Sequence, residues 1–132
     1  VTDYYLDSSV ALRIILGHST EAGAWFDGVI ADEADRVISS RLLRTEITRV
    51  LRRENLPVAN RDKILEYVYT VPVDHAVLHE AESIISHIHT LDAIHLASAL
   101  RCGLDELIIV THDKDMSEVA ERLGFPVHDP VH

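Results

Sequence analysis

Residues 3–10, Asp-Tyr-Tyr-Leu-Asp-Ser-Ser-Val, leave this chain few folds to choose from. Tyr4, Tyr5 and Leu6 make the short apolar run that a fully buried strand requires, and it stops on Asp7. Ser8, Ser9 and then Val10, Ala11, Leu12, Ile14, Ile15 and Leu16 read as the helix that follows. Asp7 therefore falls at the carboxyl end of the first strand. In an open α/β sheet that edge binds ligands, because loops and helix N-termini converge there.

The rest of the chain repeats the alternation. A helix is expected at 20–31, a strand at 36–40 and a strong helix at 41–53. Residues 55–60 contain Pro57 and break that helix; 61–69, with Ile64, Leu65, Val68 and Tyr69, reads as another. Val71, Pro72 and Val73 suit only a sheet edge. Asp74 is expected to cap a helix through 85, and Thr90 one at 91–101 that ends at Gly103. A buried strand at 107–110, a turn at 111–115, a helix to 123 and an edge strand at 126–128 complete the series. The expected fold is an α/β/α sandwich around a mainly parallel sheet of about five short strands, a single domain over 1–132.

With 47% hydrophobic and 26% charged residues, the composition is that of a soluble globular protein. No apolar run approaches the ~20 residues of a membrane span, and nothing resembles a signal peptide, so a cytoplasmic location is expected. The only cysteine, Cys102, agrees with a reducing compartment and reads as a small buried residue near a helix end. A net charge of −10 opposes broad attraction to nucleic acid or anionic membranes. That obstacle is removed if cations neutralise concentrated acid, or if the basic residues are segregated.

Four carboxylates have comparable addresses. Asp7 and Asp113 follow strands, whereas Glu46 and Asp92 lie on helices. Glu46 falls within the apolar stripe of its helix, Leu42, Leu43, Ile47, Val50 and Leu51. A glutamate there costs several kcal/mol unless it is paired or bound to a metal. Asp92 shares a face with His95, Leu96 and Ala99. Each acid also has an ordinary alternative: Asp7 as a helix cap, Asp92 as a partner of the helix dipole, Asp113 as a cap or Asx-turn residue, and Glu46 as a partner of Arg49.

Convergence of the four would have a physical consequence. Two carboxylates about 4 Å apart repel by roughly 4 kcal/mol at an effective dielectric near 20, so the cluster must take up protons or a cation. Oxygen ligands select Mg²⁺ or Mn²⁺ over zinc, and such an ion beside a phosphodiester could ionise an attacking water. Ser8 and Thr111 are the hydroxyls expected to orient neighbouring carboxylates.

Asp7-Ser8-Ser9, Glu46 in Arg44-Thr45-Glu46-Ile47, Thr90-Leu91-Asp92-Ala93-Ile94-His95-Leu96-Ala97 and Thr111-His112-Asp113 resemble the four acidic motifs of PIN-domain nucleases. The match is closest to the short VapC toxins of type II toxin-antitoxin modules and covers essentially the whole chain. The resemblance implies a Mg²⁺-dependent endoribonuclease that cleaves cellular RNA. It also implies a homodimer held in a toxin-antitoxin hetero-oligomer by a VapB-type antitoxin. Asp7, Glu46, Asp92 and Asp113 match the family's acidic positions; Asp115 is a fifth candidate, and the role of His95 is open.

Arg41, Arg44, Arg49, Arg52 and Arg53 crowd the helix that bears Glu46. The first four are candidate RNA contacts, since guanidinium groups suit phosphates; a solvated face with internal ion pairs is the ordinary alternative. His75 and His79 have i, i+4 spacing but no third ligand in register for zinc. His132 can be read either as native sequence or as an added residue. Two other functions fit the acidic edge: a non-catalytic module that binds a basic peptide, and a metal-dependent DNA nuclease. A phosphoryl-transfer domain of the HAD or response-regulator kind fits poorly, because Ser9 stands where the first would want a second aspartate.

Overall fold

The computed structural model describes residues 1–131, so His132 lies outside the described residues. Its elements are β1 (Asp3–Leu6), α1 (Ser8–Ile15), α2 (Thr20–Ile30), β2 (Arg36–Ser40), α3 (Arg41–Arg53), a 3-10 turn (Val58–Arg61), α4 (Asp62–Leu65), β3 (Val68–Val71), α5 (His75–Glu82), α6 (Thr90–Arg101), β4 (Ile108–Val110), α7 (Lys114–Arg122) and β5 (Val127–His128). The five strands form one sheet in the order β3-β2-β1-β4-β5, and every pairing is parallel. The chain builds outward from β1 through β2 and β3, then crosses back to add β4 and β5. The reversal leaves a crevice between the carboxyl ends of β1 and β4, the place where such sheets bind ligands.

Strand alternation assigns the two faces. Leu6, Val37 and Val110 pack with Val10, Phe26, Leu43, Ile47, Leu51 and Ile64 beneath α1 to α4. Tyr5, Ile38 and Ile109 pack with Leu96, Ala99, Met116 and Val119 beneath α6 and α7. Val77, Ile94 and Ala97 join α5 to α6. Leu43, Ile47 and Leu51, each four residues apart and wholly buried, explain why α3 holds its expected bounds of 41–53. The Ser40 hydroxyl accepts from Leu42 N at 3.0 Å and starts that helix.

Three local expectations are corrected. The helix expected at 61–69 ends at Leu65, and Val68–Val71 is instead the edge strand β3, in register from Val37↔Val68 to Ser40↔Val71. Ile64 and Val68 are four apart and mimic a helix period, but β-branched Val68, Thr70 and Val71 pair with β2, and Pro72 follows the ladder. The α5 helix, capped as expected by Asp74, stops at Glu82, and the fully exposed Ile85 lies beyond it. Thr90 is the first residue of α6 rather than its cap, a position held by His89 without a side-chain bond. Gly103, at φ 63°, ends α6 in the left-handed conformation that glycine adopts without strain. Among the described residues, no helix is long and apolar enough to cross a membrane.

Candidate active site

Asp7 extends β1 by one ladder bond, its N–H donating to the Val110 carbonyl at 3.0 Å. The side chain is buried beside Thr111, which follows β4. Asp7 Oδ2 accepts from Ser9 Oγ at 2.7 Å and from Thr111 Oγ1 at 2.8 Å. Those hydroxyls are fixed in turn, because Ser9 Oγ accepts from His112 N and Thr111 Oγ1 from Asp113 N, both at 3.0 Å. The orienting serine is therefore Ser9, not Ser8: one step further into the helix, its hydroxyl can reach back to the carboxylate. Thr111 orients Asp7 as expected.

Asp7 occupies the N-cap position of α1, yet its side chain accepts no N–H bond from the helix backbone. Its ordinary alternative fails, and Oδ1 is buried without any hydrogen-bond partner. An ionised oxygen left bare in a protein interior is costly unless something outside the chain completes it.

Asp92, in the first turn of α6, stands near enough for charge to couple the acids. Burial first, and then the negative charges of Asp7 and Asp113, push its carboxyl up to about 6; His95 and His89 pull the other way. Asp113 also serves its ordinary role, its Oδ1 accepting from Met116 N at 3.1 Å to cap α7. Asp115 is exposed in the first turn of α7.

Glu46 points inward as its place in the apolar stripe requires. Its partner is His95 rather than Arg49, with His95 Nε2 to Glu46 Oε1 at 2.6 Å. His95 is completely buried, and its Nδ1 lies 2.9 Å from the Tyr5 hydroxyl. Burial by itself would lower the imidazole pKa. The Glu46 hydrogen bond and the charges of Asp7, Glu46 and Asp92 outweigh it and raise the value above the ordinary one. Burial also holds the Tyr5 hydroxyl well above the usual phenol range, so it stays protonated.

Three residues here escaped the sequence reading. Tyr5 is one, although strand alternation from Asp7 signals its face. His112 and Asp129 are the others, with Nδ1 to Oδ2 at 2.9 Å beyond the ends of β4 and β5. The signal for Asp129 was an acid just after a strand, as for Asp7. His75 and His79 are exposed.

The oxygen-rich donor set and the bare Asp7 Oδ1 fit a hard divalent cation. Among the described residues, no three His, Cys, Asp or Glu side chains are drawn close enough to hold a metal as they stand. On α3, Arg41, Arg44, Arg49 and Arg52 are exposed. Arg41 donates to Thr45 Oγ1 at 3.1 Å, and among the described residues the salt bridge of this helix's arginines is Arg53 with Glu54, at 3.3 Å.

A parallel sheet with acids gathered at its switch point is the architecture of a PIN domain; residues 4–122 match that family, and the chain belongs to it. Ribonuclease VapC46 of Mycobacterium tuberculosis is 38% identical over 129 residues, 96% of each chain. Ribonuclease VapC47 of the same species is 26% identical over 131 residues, again 96% of each. Two solved structures share the fold. VapBC2 from Rickettsia felis bound to a DNA fragment from their promoter has a TM-score of 0.72 at 11% identity, covering 97% of this chain and 98% of that one. A toxin-antitoxin complex from Klebsiella pneumoniae has a TM-score of 0.70 at 14% identity, covering 96% and 97%.

Proposed function

We propose that this chain is a VapC-type toxin, a Mg²⁺-dependent endoribonuclease that hydrolyses cellular RNA in the cytoplasm and is restrained by a cognate VapB-type antitoxin. The observation that carries the reading is Asp7, buried at the switch point with one oxygen aimed by two hydroxyls and the other without a partner. Asp7, Asp92, Asp113 and Glu46 are the residues that would hold Mg²⁺, with Mn²⁺ as a substitute. The bound ion would supply Lewis-acid chemistry, lowering the pKa of an attacking water and offsetting charge on the phosphate.

The chain's own groups have separate tasks. Ser9 and Thr111 keep Asp7 in one orientation. The exposed guanidinium groups of Arg41, Arg44, Arg49 and Arg52 contact the RNA backbone, which reconciles a net charge of −10 with an anionic substrate. The partner assignment draws support from structural neighbours that are toxin-antitoxin complexes. It also draws support from apolar side chains left exposed around α5 and α6, Leu78 at 40%, Ile85 at 100% and Leu91 at 48%. A homodimer within a toxin-antitoxin hetero-oligomer would cover them.

The test is incubation of pure, antitoxin-free protein with structured RNAs and with DNA of the same sequences, under Mg²⁺, Mn²⁺ or chelator, beside Asp7→Asn and Asp92→Asn. Metal-dependent cleavage of RNA, lost in both folded variants, is the expected result. Preference for DNA would make the chain a DNA nuclease. Binding of a basic peptide with every nucleic acid left intact would make it an interaction module.

A further inference from the structure

Within that nuclease reading, we infer that His95, braced by Tyr5, is a positioning residue that aims the Glu46 carboxylate at the acidic crevice. The imidazole has a partner on each nitrogen, Tyr5 Oη at 2.9 Å from Nδ1 and Glu46 Oε1 at 2.6 Å from Nε2. Two bonds on opposite sides of a planar ring fix both its rotation and its place. The ring takes only one of Glu46's oxygens, which leaves Oε2 available as a ligand atom.

The connectivity of this relay gives it meaning. Tyr5 precedes Asp7 by two residues on β1, so strand alternation sends both to one face. His95 follows Asp92 by three on α6, about one helical turn. Glu46 belongs to α3. A single chain of hydrogen bonds thus ties together the three elements that carry Asp7, Asp92 and Glu46, and it would transmit any shift of one to the others. Groups that fix a metal-binding side chain from behind commonly act this way.

A packing role explains less. The α3 helix is already anchored by fully buried Leu43, Ile47 and Leu51, and α6 by Leu96, Ala97 and Ala99. An ionisable pair in that interior is replaceable by apolar residues at little or no cost in stability. The relay also works without any change of protonation. A neutral ring with its proton on Nε2 donates to Glu46 while Tyr5 donates to Nδ1; a doubly protonated ring donates to both.

The experiment compares Tyr5→Phe, His95→Leu, His95→Gln, Glu46→Gln and the Tyr5→Phe/Glu46→Gln pair. Three quantities are read: Mn²⁺ affinity by paramagnetic resonance, kcat and KM on a cleaved RNA, and thermal unfolding. His95→Leu and Tyr5→Phe are expected to weaken Mn²⁺ binding by about 10- to 100-fold and lower kcat alike, with KM for RNA unchanged. His95→Gln, whose side-chain amide can donate to Oε1, recovers part of both. Tyr5→Phe adds no further loss once Glu46 is Gln, because the relay then has nothing to aim.

Folded Tyr5→Phe that binds Mn²⁺ and turns over like the parent overturns the inference. So do losses that multiply in the paired variant, which would mark packing. Tyr5→Phe removes a single oxygen and keeps the test decisive if His95→Leu misfolds. A parent that neither binds Mn²⁺ nor cleaves RNA overturns the nuclease reading and this role together, whereas an active parent with indifferent variants overturns the role alone.

Discussion

Asparagine at position 7 should separate stability from function, because the charge that would hold a cation is a burden when no cation is bound. The amide is nearly isosteric with the carboxylate. Its carbonyl oxygen can replace Oδ2 and keep the Ser9 and Thr111 bonds of 2.7 and 2.8 Å. Its NH₂ then takes the place of the bare Oδ1. Two hydrogen bonds lose their charge assistance, a loss of about 1 kcal/mol each. Against it stand an effective desolvation penalty of several kcal/mol for the buried charge and the repulsion of Asp92. Carboxylates about 6 Å apart repel by roughly 3 kcal/mol at an effective dielectric near 20, screened to about 1 kcal/mol where one is half-exposed. The balance favours the variant by about 2 kcal/mol, or roughly 8 °C in Tm for a chain of this size.

Thermal unfolding of parent and Asp7→Asn, in chelator and in Mg²⁺, measures both halves of the prediction. In chelator the variant melts higher. In Mg²⁺ at ten times its Kd the parent gains about 1.4 kcal/mol and the variant gains nothing. A variant less stable than the parent in chelator would make Asp7 a structural anchor, and one still stabilised by Mg²⁺ would show that the bare oxygen is not a ligand.

Three further outcomes can be checked. The Asp92 carboxyl, raised from 3.8 to about 6, binds its proton more tightly in the folded than in the unfolded chain. Its contribution to metal-free stability is complete below about pH 4 and is lost as the pH rises through 6, about 1 kcal/mol after solvent screening. Urea melts across that window should show the slope in the parent and not in Asp92→Asn, while Mg²⁺ affinity in calorimetry should weaken as the pH drops below 6. Thr111→Val removes a donor to Asp7 and the acceptor for Asp113 N, and denaturant unfolding should register a loss of about 1–3 kcal/mol with weaker Mg²⁺ binding. Arg44→Ala and Arg52→Ala should raise KM for RNA without changing kcat; for single-stranded RNA the salt slope of binding should fall by about 0.7 for each phosphate no longer neutralised, and an unchanged slope would remove these arginines from the interface.

Much of this molecule can be read from local pattern. Tyr4-Tyr5-Leu6 followed by Asp7 identifies a buried strand and the group at its end, and the four-residue spacing of Leu43, Ile47 and Leu51 bounds α3 and marks Glu46 as inward-facing. Such features depend on neighbours within a turn or a strand, so composition and period suffice to encode them. Other features depend on residues far apart in the chain. Val68 has the spacing of a helix and becomes a strand because β2 lies open beside it. Glu46 could pair with Arg49 one turn away, but it meets His95, 49 positions on, because packing α6 against the sheet brings a buried ring with a correctly placed nitrogen. Ser9 and Thr111, 102 residues apart, likewise close on one Asp7 oxygen only because β4 pairs beside β1. Periodicity and punctuation thus encode which side chains face inward and where the acids stand on their elements. Which of them meet is settled only once the layers pack, because a hydrogen-bond partner is selected by a distance in space that residue spacing does not contain.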